Sequence, residues 1–88
     1  MNVPRAVSMR HTIVPSGERD TFRDRARAAH THYVAQGCHY WLFEESTLPG
    51  AYLEFFEATD ASALLEAHRA APQPILDSAR LYIEVELN

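Results

Sequence analysis

The chain contains no lysine: all eight of its basic residues are arginine, set against twelve acidic ones, for a formal net charge of −4. With no basic patch, a nucleic-acid partner is not expected. Cys38 is the only cysteine, which excludes an internal disulfide. At the start of a strand it reads as a small buried residue rather than a reactive thiol. Three glycines leave no phosphate-cradling loop and no nucleotide motif. There is no signal-like segment and no apolar run of membrane length, so a cytoplasmic protein with no membrane partner is expected. The five histidines form no HxxxH or HExxH pattern. On a helix, His30 and His32 would point about 200° apart and could not share an ion. No metal site and no cofactor are therefore expected.

What is present suits one small domain spanning residues 1–88. A chain of this length buries a limited core, and many such domains gain stability from a partner subunit. Val7 to Val14 alternates as a strand, and Pro15-Ser16-Gly17 ends it. A helix is expected from about Gly17 to Gln36, with Ser16 as N-cap, Gly37 as the residue after the C-cap, and Phe22, Ala26, Ala29 and Tyr33 on its apolar face. Cys38 to Glu45 and Ala51 to Ala58 read as strands joined by a turn at Ser46 to Gly50. Asp60 or Thr59 caps a second helix, Ala61 to about Ala71, with Ala61, Leu64, Leu65 and His68 on one face. Ile75 to Asp77 suggests a short turn, and Arg80 to Leu87 a last strand.

This order, β-α-β-β-α-β, is the ferredoxin-like split arrangement: an α+β fold with a four-stranded antiparallel sheet and two helices on one face. The expected spatial order is fourth, first, third, second strand. Folding the hairpin about Leu48 sets Phe43 opposite Leu53, Trp41 opposite Phe55, and His39 opposite Glu57, each pair sharing a face. The more apolar alternation is expected beneath the helices: Met9, His11, Ile13, His39, Trp41, Phe43, Leu53, Phe55, Glu57, Leu81, Ile83 and Val85. The other face then carries Arg10, Thr12, Tyr40, Leu42, Tyr52, Glu54, Phe56, Tyr82 and Glu84. Four aromatics there are too much apolar surface to leave in water, so a second copy is expected to cover it, making a homodimer through the open sheet face.

These pieces together resemble the antibiotic biosynthesis monooxygenase-like family of dimeric α+β barrels, from about Val7 to Leu87. The resemblance is carried by Pro15, Gly17 and Phe22 at the start of the first helix, Gly37-Cys38 opening the second strand, and the Pro49-Gly50 turn. It is carried further by Glu57 ending the third strand, with His68 eleven residues later in Ala63-Leu64-Leu65-Glu66-Ala67-His68. Where that family often has a tryptophan two residues after the glutamate, this chain has Thr59, and Trp41 on the neighbouring strand is offered to fill similar space. The resemblance implies a cofactor-independent oxygenase. A phenolic substrate would lose a proton to a base, and its carbanion would react with oxygen directly.

The residues placed at such a site are His39, Glu57 and His68 as the catalytic group. Glu57 would orient His39, and His68, buried on its helix, would need Glu57 as a partner. Met9, His11, Tyr33, Trp41, Phe43 and Phe55 are expected to line a pocket for a small aromatic or hydrophobic molecule. His39 or His68 would be the base, with Tyr33 or Trp41 donating to the anion. Two other readings stand beside this one. The first is a non-catalytic binding or accessory protein in which His39, Glu57 and His68 are structural. The second is a metal- or haem-dependent enzyme using His68.

Overall fold

Period-two alternation and a helical face at three- and four-residue steps become an α+β fold in the computed structural model, which describes residues 3–73 and 80–87. Its elements are β1 (Ala6–Ile13), a 3-10 turn (Ser16–Glu18), α1 (Arg19–Ala35), β2 (His39–Glu44), β3 (Ala51–Ala58), α2 (Ala61–Ala70) and β4 (Tyr82–Ile83). The expected turn at Ile75 to Asp77 lies outside the described residues. The four strands make one antiparallel sheet in the order β2-β3-β1-β4, which from the opposite edge reads fourth, first, third, second.

Local chemistry accounts for most boundaries. After α1, Gly37 takes φ +77°. Its N–H bonds Val34 O at 3.0 Å while Cys38 N–H bonds Tyr33 O at 2.8 Å, a Schellman closure that aims the chain into β2. Asp60 caps α2 by accepting from Ala63 N–H at 2.7 Å. Gly50 holds φ +88°, and a Cβ there would lie 2.6 Å from Val14 O and from the Arg19 guanidinium. Ser16 does not cap α1; it falls inside the 3-10 turn, and Glu18 at the N-cap makes no side-chain capping bond. The last strand is shorter than the span Arg80 to Leu87. Its ladder is Ala6↔Ile83 and Val7↔Tyr82, extended by Glu84 N–H to Arg5 O at 2.8 Å. Pro4 follows on that edge and has no N–H to continue the pairing.

The hairpin register is the expected one, with His39↔Glu57, Trp41↔Phe55 and Phe43↔Leu53. The faces of β1, β2 and β3 are reversed, whereas on β4 Ile83 stands beside the covered Ala6, on the expected side. Ala6, Ser8, Arg10, Tyr40, Tyr52, Glu54, Phe56 and Ala58 lie beneath the helices, where Tyr33, Phe56, Leu64 and His68 form the most buried part of the core. Met9, His11, Ile13, His39, Trp41, Phe43, Leu53, Phe55 and Glu57 lie on the opposite, open face, paired side by side across β1, β2 and β3. Among the large ones, Met9 is 40%, Trp41 42% and Phe43 52% exposed. The reversal has a packing cause. The helices present small residues to the sheet (Ala26, Ala29, Ala67), which leaves depth for two tyrosines, Tyr40 and Tyr52, and Phe56 standing up from it. Ser8, Arg10, Tyr40 and Glu54 on this face pair with other side chains, while the buried Tyr52 hydroxyl has no hydrogen-bond partner among the described residues.

Candidate functional site

Between α1, the covered face of the sheet and the end of α2 lies a cavity of about 420 Å³ lined by Phe22, Ala26, Ala29, Phe56, Tyr33 and, as its charged members, Arg10, Arg25 and Glu54. It exists because α1 turns alanines toward the sheet at Ala26 and Ala29, while Phe22, one turn earlier, is drawn onto Tyr52 with ring centroids 4.7 Å apart.

Two polar chains border the cavity. Arg10 and Glu54 face each other across β1 and β3. Arg10 donates from Nε at 2.8 Å and lies with Nη2 at 2.7 Å from the same oxygen, Glu54 Oε1. Tyr40 Oη donates to Glu54 Oε2 at 2.6 Å. Glu54, only 3% exposed, is thus satisfied on both oxygens. Burial pushes the Tyr40 phenol well above its ordinary range, and the bond to Glu54 adds to it.

The second chain is centred on His68. Its Nε2 lies 2.8 Å from Ser8 Oγ and its Nδ1 2.6 Å from Tyr33 Oη. The ring stands edge-on to Phe56, centroids 4.9 Å apart. Burial, then the positive charges of Arg10 and His32, push the imidazole down to about 4. At neutral pH it is therefore uncharged, with one N–H and one lone pair. Burial likewise pushes the Tyr33 phenol upward. His32 Nε2–H donates to Ala67 O at 2.8 Å and ties α1 to α2 beside this chain.

The expected cluster of His39, Glu57 and His68 does not form, because the sheet separates its members. His39 and Glu57 do meet, Nδ1 to Oε1 at 2.9 Å, but on the open face, and His39 is 68% exposed. Glu57 Oε2 takes Arg5 Nη1 at 2.8 Å, and Arg5 goes on to grip Glu84 with Nε at 3.1 Å and Nη2 at 2.8 Å. The partner supplied to His68 in place of Glu57 is Ser8 together with Tyr33. Of the six residues expected to line the pocket, Tyr33 does so. Met9, His11, Trp41, Phe43 and Phe55 belong to the open face, where Trp41 stacks on His39 and leans on Phe55.

Ser8, Arg10 and Glu54 were not expected at the site. A signal for them exists in the strand alternation. Arg10 and Glu54 are mid-strand charges of opposite sign that oppose each other once β1 is paired with β3, and such a pair can be buried together. Burial also pushes the Cys38 thiol up, so it stays protonated as a small core residue. Both nitrogens of His68 are engaged inside the core, so this residue does not fit the role of a metal or haem-iron ligand. Among the described residues no group of three or more His, Cys, Asp or Glu side chains could hold a metal ion. No helix of the described residues is long and apolar enough to cross a membrane.

No protein-family description and no curated protein matches this sequence. Solved structures do share the fold. A conserved protein from Methanosarcina mazei Go1 superposes with a TM-score of 0.69 at 16% identity, covering 96% of this chain and 92% of that one. A conserved protein of unknown function from Bacteroides thetaiotaomicron VPI-5482, described as a possible oxidoreductase, gives 0.66 at 20% identity over 96% of each chain. The Rv0793 protein of Mycobacterium tuberculosis gives 0.61 at 19% identity over 97% of this chain and 96% of its own. At these identities the likeness concerns the fold, and all three neighbours match nearly end to end.

Proposed function

We propose that this is a ferredoxin-like, dimeric α+β barrel protein whose cavity takes a small planar aromatic molecule and moves a proton at its wall, as a cofactor-independent monooxygenase or a related proton-transfer enzyme. The observation that carries this reading is the convergence of Arg10 and Tyr33 on a cavity of about 420 Å³ whose wall also holds Phe22, Ala26, Ala29 and Phe56, with His68 bonded directly behind Tyr33. The description of the Bacteroides thetaiotaomicron neighbour as a possible oxidoreductase agrees with it.

The proton has a route. When Tyr33 Oη accepts a proton from a substrate carbon acid, its own proton passes to His68 Nδ1, and the His68 Nε2–H donates to Ser8 Oγ. His68 then carries the positive charge and the substrate is a carbanion, which Arg10 stabilises electrostatically. Addition of dioxygen and a proton gives a hydroperoxide, and loss of water from it leaves a carbonyl. Because His68 is a weak base in the empty protein, the step depends on that anion being held close by.

The homodimer forms through the open face. Met9, Ile13, Trp41, Phe43, Leu53 and Phe55 make a broader apolar surface than a monomer of this size keeps in water. A second copy buries about 800 Å² per partner in an interface of standard size. The Arg5–Glu57–His39 group then sits at the rim, where its charges stay hydrated.

Oxygen uptake with a naphthohydroquinone tests the reading. We expect uptake above the rate in buffer, retained by the unmodified chain and lost in Tyr33→Phe. A second reading, a binding protein without turnover, is favoured by the engagement of both His68 nitrogens and both Glu54 oxygens by neighbouring side chains. Binding of the hydroquinone without any oxygen uptake establishes that reading and overturns the first.

A further inference from the structure

We infer that the ligand of this cavity carries a carboxylate, seated on the outward edge of the Arg10 guanidinium, so that the substrate class is an aromatic carboxylic acid. This rests on the cavity being the ligand site. Arg10 uses one edge of its fork, Nε and Nη2, on Glu54 Oε1. Among the described residues its Nη1 makes no hydrogen bond, so the other edge, Nη1 with the remaining N–H of Nη2, is a two-donor pair without an acceptor. Although Arg10 sits mid-strand beneath the helices, its side chain is 39% exposed, and it lines the cavity.

Two parallel N–H donors match the two oxygens of a carboxylate, whereas a phenolate or a carbonyl offers one oxygen. Glu54 does not compete for this edge. Tyr40 and the inner edge of Arg10 occupy both its oxygens, and the pairing holds the guanidinium plane fixed. The charge balance of the wall points the same way. Arg10 and Arg25 contribute two positive charges and Glu54 one negative, which leaves one positive charge for a singly charged anion to answer. The remaining wall, Phe22, Ala26, Ala29 and Phe56, receives a flat apolar ring. An anion on Arg10 also offsets the positive field that bears on His68, so the ligand itself makes the base behind Tyr33 stronger.

Calorimetric titration of the full chain near neutral pH with naphthoate, and separately with the neutral naphthamide of the same shape, tests this. We expect naphthoate to bind about tenfold tighter or more, the scale of a charge-assisted pair. In Arg10→Gln that preference of acid over amide should vanish. Because Arg10→Gln leaves Glu54 buried without its cation, the double variant Arg10→Gln with Glu54→Gln is measured beside it and should show the same loss. Equal binding of acid and amide by the unmodified chain overturns the carboxylate assignment and leaves the cavity as the ligand site. A preference for naphthoate that survives both variants places the anion elsewhere and also overturns it. Binding of neither probe removes the cavity reading and this inference together.

Discussion

The covered face of the sheet carries Ser8, Arg10, Tyr40, Glu54 and Phe56, and the open face carries Met9, Trp41, Phe43, Leu53 and Phe55. The face under the helices is thus the more polar of the two. It tolerates that because Ser8, Arg10, Tyr40 and Glu54 each have a partner fixed by the fold, and an unpartnered charge would be costly. Pairing demands fixed geometry, and fixed geometry is what a site needs. The open face has no such demand. It holds side chains that gain by leaving water against almost any complementary apolar surface, which suits a contact with another copy. Within one sheet, paired polar groups and unpaired apolar ones stand on opposite sides.

That contrast can be broken at several points. Arg10→Ala should have the largest effect on folding, about 3–5 kcal/mol, because it strands the Glu54 carboxylate in the core. Urea unfolding reads this, and changing Arg10 and Glu54 together to Met and Leu should recover much of it. Trp41→Ala, on the other face, should leave the unfolding of the protomer nearly unchanged yet weaken the dimer by about 2 kcal/mol, some 30-fold. Sedimentation equilibrium reads that. If the unmodified chain sediments as a monomer at high concentration, the open face is not a self-contact.

The two central histidines sharpen the comparison. His68 is held neutral in the fold, pushed down to about 4, while in the unfolded chain it titrates at its ordinary 6.5. Below 6.5 the unfolded chain therefore binds more protons, and stability falls as pH drops from about 6.5 to about 4, by at most about 1.4 kcal/mol per pH unit. Below that window this contribution is flat. Stability curves at stepped pH should show the slope, and His68→Gln should remove it. His39→Ala should cost the least, under about 1 kcal/mol, since its bond to Glu57 is exposed to water and Arg5 still holds that carboxylate. A loss from His39→Ala as large as that from His68→Ala would erase the distinction between the faces.

Much of the fold was legible in the residues. Val7 to Ile13 alternates, Gly37 and Asp60 punctuate the helices, and the length of the turn between Glu44 and Ala51 set the hairpin register that joins His39 to Glu57. The apolar face of α1 was legible too, since Ala26 and Tyr33 are its buried residues. The side of the sheet to which Glu57 and Glu54 turn was not. Choosing the more apolar side as the core assumes that a chain buries its hydrophobic residues within itself, and here the larger apolar set is left for outside the protomer. The expected cluster of His39, Glu57 and His68 is divided between the two faces for the same reason.

Alternation by itself determined two sets of side chains, and turn chemistry determined which of them stand opposite one another across the strands. Those are local properties of the backbone, so they can be read in one dimension. Which set the helices cover depends on how deep the space above the sheet is, and that depth depends on Ala26, Ala29 and Ala67 meeting Tyr33, Tyr40 and Phe56 from three different elements. Only the packed structure brings those volumes together. It is therefore what decided that Arg10 and Tyr33 face a cavity, with His68 bonded behind Tyr33, and that Trp41 faces water.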